Sequence, residues 1–323
     1  QELQRVFDEA YRNKNTQSTS DGRYSFAGER ALTADYTTLE TAKAMQERGI
    51  SNEEIFKNTG WFKGADNQWR FEINDKDLRV IETNPDFQKV QAASEQLQNA
   101  ESEQERTAAL NELRRAAQET QARGTFLKLP DVIQADALFE AYPFLRDIDV
   151  FYDFDSGSRA SYYPGYNAIS IDVMKNPTAQ GQRRSFAHEI QHAIQEHEGF
   201  AIGANAELWN GDQKRYRNTA GELEAEDVKN RLDMTDEERS NTFPESAKEN
   251  PERVFMDRDK VYGERMNEAA NEENSNIYDY TKSFSEQLDD WKNGKIPQRD
   301  ALMIGSTPKV FQKIGFNALP FTI

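Results

Sequence analysis

A chain of 323 residues can bury a substantial core, and an 11% aromatic content excludes global disorder, while 36% hydrophobic residues and a mean hydropathy of -0.92 call for polar helices around the cores. A net charge of -17 makes the average surface repel phosphate backbones and anionic lipid, so no nucleic acid is expected as a partner. The absence of cysteine excludes disulfides and thiolate ligands, so any metal must sit on His, Asp or Glu.

In chain order, residues 1 to 20 are polar and end in a turn at Ser20-Asp21-Gly22. The spacing of Leu39, Ala42 and Met45 predicts a helix over 34–48, stopped at Gly49. A short helix follows with Ser51 as N-cap and Glu54 three residues on. Two aromatic runs, Trp61-Phe62 and Trp69-Arg70-Phe71, flank Gly64 to Asn67 and predict a hairpin. Residues 86–123 carry a thin apolar stripe (Val90, Leu97, Leu110, Leu113) and read as one long helix or a helical hairpin, serving as a polar spacer or a docking arm. A second core begins after Gly124. Strands are predicted at 148–152 and 168–173, with a loop containing Gly157, Pro164 and Gly165 between them. A helix opens at Asn176-Pro177-Thr178 and stops at Gly199, and another covers 221–233. An acidic segment follows to Asn250, then helices rich in Glu and Asn to Asn293. No apolar run of membrane-spanning length and no basic-then-apolar leader is found, so no membrane is expected as a partner. The start at Gln1 without methionine suggests an excised or processed product.

The chemistry concentrates in His188-Glu189-Ile190-Gln191-His192. Histidines at i and i+4 share one helix face, so both imidazoles reach one ion, and the intervening glutamate leans over it as general base for its water. The chain has only three histidines, His188, His192 and His197, all within ten residues, which favours a metal site over a chance match. His197 falls one residue short of the extended metzincin spacing, and Gln195 stands where that motif requires glycine, so a carboxylate is expected as third ligand. Its source is Gly221-Glu222-Leu223-Glu224-Ala225-Glu226-Asp227. Tyr216, just ahead of this helix, is a candidate donor to a developing oxyanion.

Glu222, three residues before Ala225, resembles the E-x-x-A-D or E-x-x-A-N element of gluzincins. The resemblance makes Glu222 the third ligand and Glu226 a group orienting a zinc-bound imidazole, with Glu224 and Asp227 as the alternative pair. The ordered set Phe26-Ala27-Gly28, the aromatic hairpin, Tyr142-Pro143, the strand before the motif helix, 188–200 and 221–225 resembles the zincin-like metallopeptidase module of large polyvalent proteins from phages and conjugative elements. Such proteins travel inside virions or enter recipient cells with DNA, which implies a place in a phage virion or the host cytoplasm and contact with other modules of a larger polyprotein. The ending from Ile304 is similar to the lead-in of a toxin-like nuclease domain, implying a chain that continues past Ile323 or is cut near it.

The expected fold is α+β: a small accessory domain (1–85), a polar helical spacer (86–123), a zincin-like metallopeptidase domain with a small sheet and active-site helix (124–300), and the start of a following domain (301–323). The expected activity is a Zn2+ endopeptidase acting on a protein or peptide substrate. His188, His192 and Glu222 or Glu224 would hold the metal, with Glu189 and Tyr216 in the chemistry. The competing expectation is a virion scaffold or cargo module whose zinc site is structural or inactive.

Overall fold

The computed structural model describes residues 25–73, 78–122, 126–156, 158–204 and 212–256. The N-terminal polar tail with its turn, the helices expected beyond 256 and the segment 301–323 lie outside the described residues. Among the described residues the fold is α+β, with sheets of three, two and four strands among many helices. Two compact units interleave in sequence, where the division expected above was sequential. One unit holds the described residues up to Leu78, Ala135–Pro143 and those from Ile190 on; the other holds Arg79–Gln134 and Phe144–Glu189.

In the first unit β1 (Phe26–Ala27), β2 (Trp61–Lys63) and β3 (Trp69–Glu72) make an antiparallel sheet in the order β1-β3-β2. Its cause is the aromatic run, since Phe26, Trp61, Phe62 and Trp69 are all buried and wide rings suit a pleated, packed face. Helix α1 (Tyr36–Glu47) begins at Asp35, whose carboxylate accepts the amides of Thr37 and Thr38, and it buries Leu39, Ala42 and Met45. Helix α2 (Asn52–Thr59) is capped by Ser51 and ends at Gly60 with φ of 80°, a left-handed conformation that favours glycine. Leu39, Ala42, Met45, Ile55, Trp61 and Trp69 form one apolar cluster. The unit continues through α6 (Asp136–Ala141), α8 (Gln213–Arg217), α9 (Ala220–Arg231) and α10 (Asp236–Asn241). The segment expected to be merely polar after Asp233 is thus partly helical. Thr235 and Glu238 cap α10 reciprocally, and Arg239 and Phe243 are buried.

In the second unit β4 (Arg79–Val80) pairs with β6 (Ile133–Gln134), and α3 (Pro85–Gln98) with α4 (Glu103–Ala122) forms a helical hairpin, one of the two forms expected for 86–123. It is no free spacer, because Leu113, Ala116 and Ala117 are buried and α4 packs on the neighbouring sheet. That sheet runs β5 (Leu127–Lys128), β7 (Asp149–Asp153), β9 (Ala168–Asp172), β8 (Ala160–Tyr163), with the short helix α5 (Leu129–Val132) after β5. β7 and β9 are parallel and β8 is antiparallel to β9. β8 occupies what was expected to be loop. Its Tyr162-Tyr163 pair has strand propensity, and Pro164 ends it immediately. Helix α7 (Ala179–Glu198) carries the histidines, and the boundary between the units falls inside it, after Glu189.

All five residues of β7 and of β9 are buried, carboxylates included. Burial raises the Asp153 carboxyl to about 6, opposed by the Phe154 amide and reinforced by the charge of Asp172. A carboxyl with a raised folded pKa stabilises most when protonated, and that contribution is lost as pH climbs to about 6. Asp153→Asn should therefore raise the urea midpoint more at about pH 7 than at about pH 4. Equal shifts at both would refute the assignment.

Candidate metal centre

Helix α7 starts where the Thr178 side chain accepts the Gly181 amide, and it ends at Gly199 with φ of 79°. Phe186, Ala187, Ile190, Ala193 and Ile194 are all buried, which locks the rotation of the helix. His188 and His192 then stand one turn apart on a half-buried face. Helix α9 enters through Thr219 and Gly221, both buried. A Cβ on Gly221 would strike the backbone of Ile202 and Gly203, so only glycine permits this approach of the two segments. Glu222 follows directly.

The ligand atoms of His188, His192 and Glu222 all lie within 4.8 Å of one another. Nε2 of His192 is 3.4 Å from Oε1 of Glu222. A tetrahedral zinc about 2.1 Å from each ligand separates neighbouring ligand atoms by roughly 3.4 Å. Two imidazoles and one carboxylate thus fit a zinc ion that keeps a position for water. The Ala204 amide donates to the same Glu222 oxygen at 3.1 Å and fixes the carboxylate. Glu189, 7% exposed, accepts the Tyr162 amide on Oε2 at 2.8 Å, so the strand that was expected to be loop orients the candidate base.

Of the two glutamates nominated as third ligand, the structure brings Glu222 to the histidines and commits Glu224 elsewhere. Glu224 Oε2 receives Arg70 Nε at 2.5 Å, and Oε1 receives the side-chain amides of Gln191 at 3.0 Å and Gln195 at 3.1 Å. Burial raises its carboxyl, against the opposing charge of Arg70. Arg70 also clasps Asp66 with both terminal nitrogens, at 2.7 and 2.9 Å, and lies 3.7 Å from the Phe200 ring centroid. Burial alone would raise Asp66, but Arg70 and the amides of Ala201 and Gln68 bring it below the ordinary carboxylate value.

Glu226 does not orient an imidazole: it is exposed and paired with Lys229. Asp227 instead accepts the amide and hydroxyl of Ser246, each at 2.8 Å. The place beside His192 is taken by Gln195, whose Oε1 lies 2.9 Å from Nδ1. The sequence signal for Gln195 was its position three residues after His192, on the same face. His197 is exposed, with its ring against Tyr142, and stands outside the cluster. Tyr216 lies half-buried on α8, three residues ahead of Thr219.

Large polyvalent protein associated domain 23 is the family whose model matches, over residues 24–81. The match supports a polyvalent-protein context and is compatible with a phage or mobile-element origin and with further modules in a larger polyprotein. It covers the sheet of the first unit and helices α1 and α2, and ends well before the histidines. No curated protein and no solved structure matches the chain. Among the described residues, no helix is long and apolar enough to cross a membrane.

A Cβ on Gly203 would collide with Glu222 Oε1 and the His192 imidazole. Gly203→Ala should therefore lower metal uptake at least about 10-fold while leaving the circular dichroism spectrum intact; undiminished uptake would show that these two side chains do not share an ion. Arg70→Met leaves the buried Glu224 and the half-buried Asp66 without their cation and should cost about 3–5 kcal/mol in urea denaturation. A loss under about 1 kcal/mol would mean that the pair is not buried in solution.

Proposed function

We propose that this chain is a zinc-dependent endopeptidase of the zincin type, acting on a protein substrate that is either its own polyprotein or a host target. The observation that carries the reading is the convergence of His188, His192 and Glu222, on two separate helices, with Glu189 anchored one residue from the first histidine. An HExxH helix beside a small mixed sheet ending in the edge strand β8 is the arrangement such a peptidase needs.

His188, His192 and Glu222 would hold the ion, which when bound acidifies a water and polarises the scissile carbonyl. Glu189 accepts a proton at its carboxylate and hands it to the leaving amine, and the Tyr162 amide keeps that carboxylate from rotating away. Tyr216 is the candidate hydrogen-bond donor to the oxyanion. The polyvalent context supports a substrate among the proteins met inside a virion or a recipient cell's cytoplasm.

Elemental analysis should find about one zinc per chain, lost in His188→Ala and in Glu222→Ala but kept in Glu189→Gln. Glu189→Gln should then cut peptide hydrolysis by about 100-fold or more. Zinc retained in Glu222→Ala would displace the third ligand from this helix position. No zinc in any preparation, even after supplying it, would sink the peptidase reading in favour of a virion scaffold or cargo module.

A further inference from the structure

Gln195 is a buried amide with a fixed direction. Its Nε2 donates to the carbonyl of Gly221 at 2.9 Å and to Glu224 Oε1 at 3.1 Å. A peptide carbonyl can only accept, so the NH2 end of the amide must face Gly221 and the oxygen must face the other way. That oxygen meets His192 Nδ1 at 2.9 Å. An amide oxygen also only accepts, so Nδ1 carries the proton. The ring's other nitrogen, Nε2, is left with its lone pair and faces Glu222.

We propose that Gln195 is a positioning residue that holds His192 as the Nδ1–H tautomer, and that residues 66–70 of the hairpin complete this outer shell of the metal centre through Arg70 and Glu224. This deepens the zinc reading above and rests on it. The relay runs Asp66, Arg70, Glu224, Gln195, His192, each joined to the next by a hydrogen bond of 3.1 Å or less. Arg70 donates to Glu224, Glu224 accepts the Gln195 amide, and that amide orients the imidazole. A neutral amide in this place adds no charge to the centre and donates to Glu224, whereas a carboxylate there would set two acceptors against each other. The segment matched by the polyvalent-domain model therefore contributes to the centre without supplying a ligand.

The test is the tautomer of His192 in the metal-free full chain at about pH 8, read from two-bond proton–nitrogen correlations. Only three histidines contribute signals, and His188→Ala and His197→Ala assign them. The expected result is an Nδ1–H His192 in the wild type. In Gln195→Met this preference should vanish and zinc affinity, measured by chelator competition, should fall about 10–100-fold. An Nε2–H His192 in the wild type overturns the proposal, as does a Gln195→Met chain that binds zinc within about twofold of the wild type. The wild-type tautomer decides alone should the variant fail to fold. A wild type with the Nδ1–H ring that takes up no zinc overturns the metal reading instead, and with it the purpose given to Gln195.

Discussion

A guanidinium sealed from solvent between two carboxylates organises the first unit. Arg70 is 1% exposed and meets Asp66 on one side and Glu224 on the other, so each group's desolvation is offset only while all three hold their geometry. Strand β3 repeats the device two residues later, where Glu72 meets Arg231 Nε at 2.6 Å. Residues 70 and 72 share one face of a strand, and residues 224 and 231, two turns apart, share one face of α9. The strand presents a cation and then an anion, and the helix presents the complementary order. Sliding or reversing one element against the other would bring like charges together in a dry place, so these two pairs fix register and direction at once. Because Asp66 also accepts the Ala201 amide, the same guanidinium sets the course of the chain after α7, where Ala204 reaches Glu222.

The elements with strong local signatures were legible in the sequence. Ser51 caps its helix, Gly49 and Gly199 adopt the left-handed conformation, and the aromatic hairpin pairs as its turn residues imply. What was not legible depends on pairings distant in the chain. β1 has two residues and exists through β3, while β8 has no buried-face alternation and exists through β9. The interleaved units have the same origin, since the contacts that unite residues 25–73 with α9 lie some 150 positions apart.

The metal centre divides in the same way. Spacing on one helix placed His188, Glu189 and His192 together. The choice between Glu222 and Glu224 turned on a cation in another segment, Arg70, which draws Glu224 away. Gln195 was read only as a departure from a different motif, because an uncharged amide has no signature until its partners are known. Tyr162 acts through its backbone amide, which any residue but proline would supply, so its side chain could announce nothing.

Gln191, one of the two unspecified positions between the histidines, serves as a strand for β1. Its amide donates to the Phe26 carbonyl and accepts the Phe26 amide, both at 3.0 Å, as a neighbouring peptide would, and it also donates to Glu224. This ties the folding of the three-stranded sheet to the motif helix. Without residues 25–73, the Gln191 amide and Glu224 would be left buried without the peptide and the guanidinium that satisfy them. The sheet, the motif helix and α9 thus form one cooperative piece, and a cut between the hairpin and the histidines parts groups that satisfy one another.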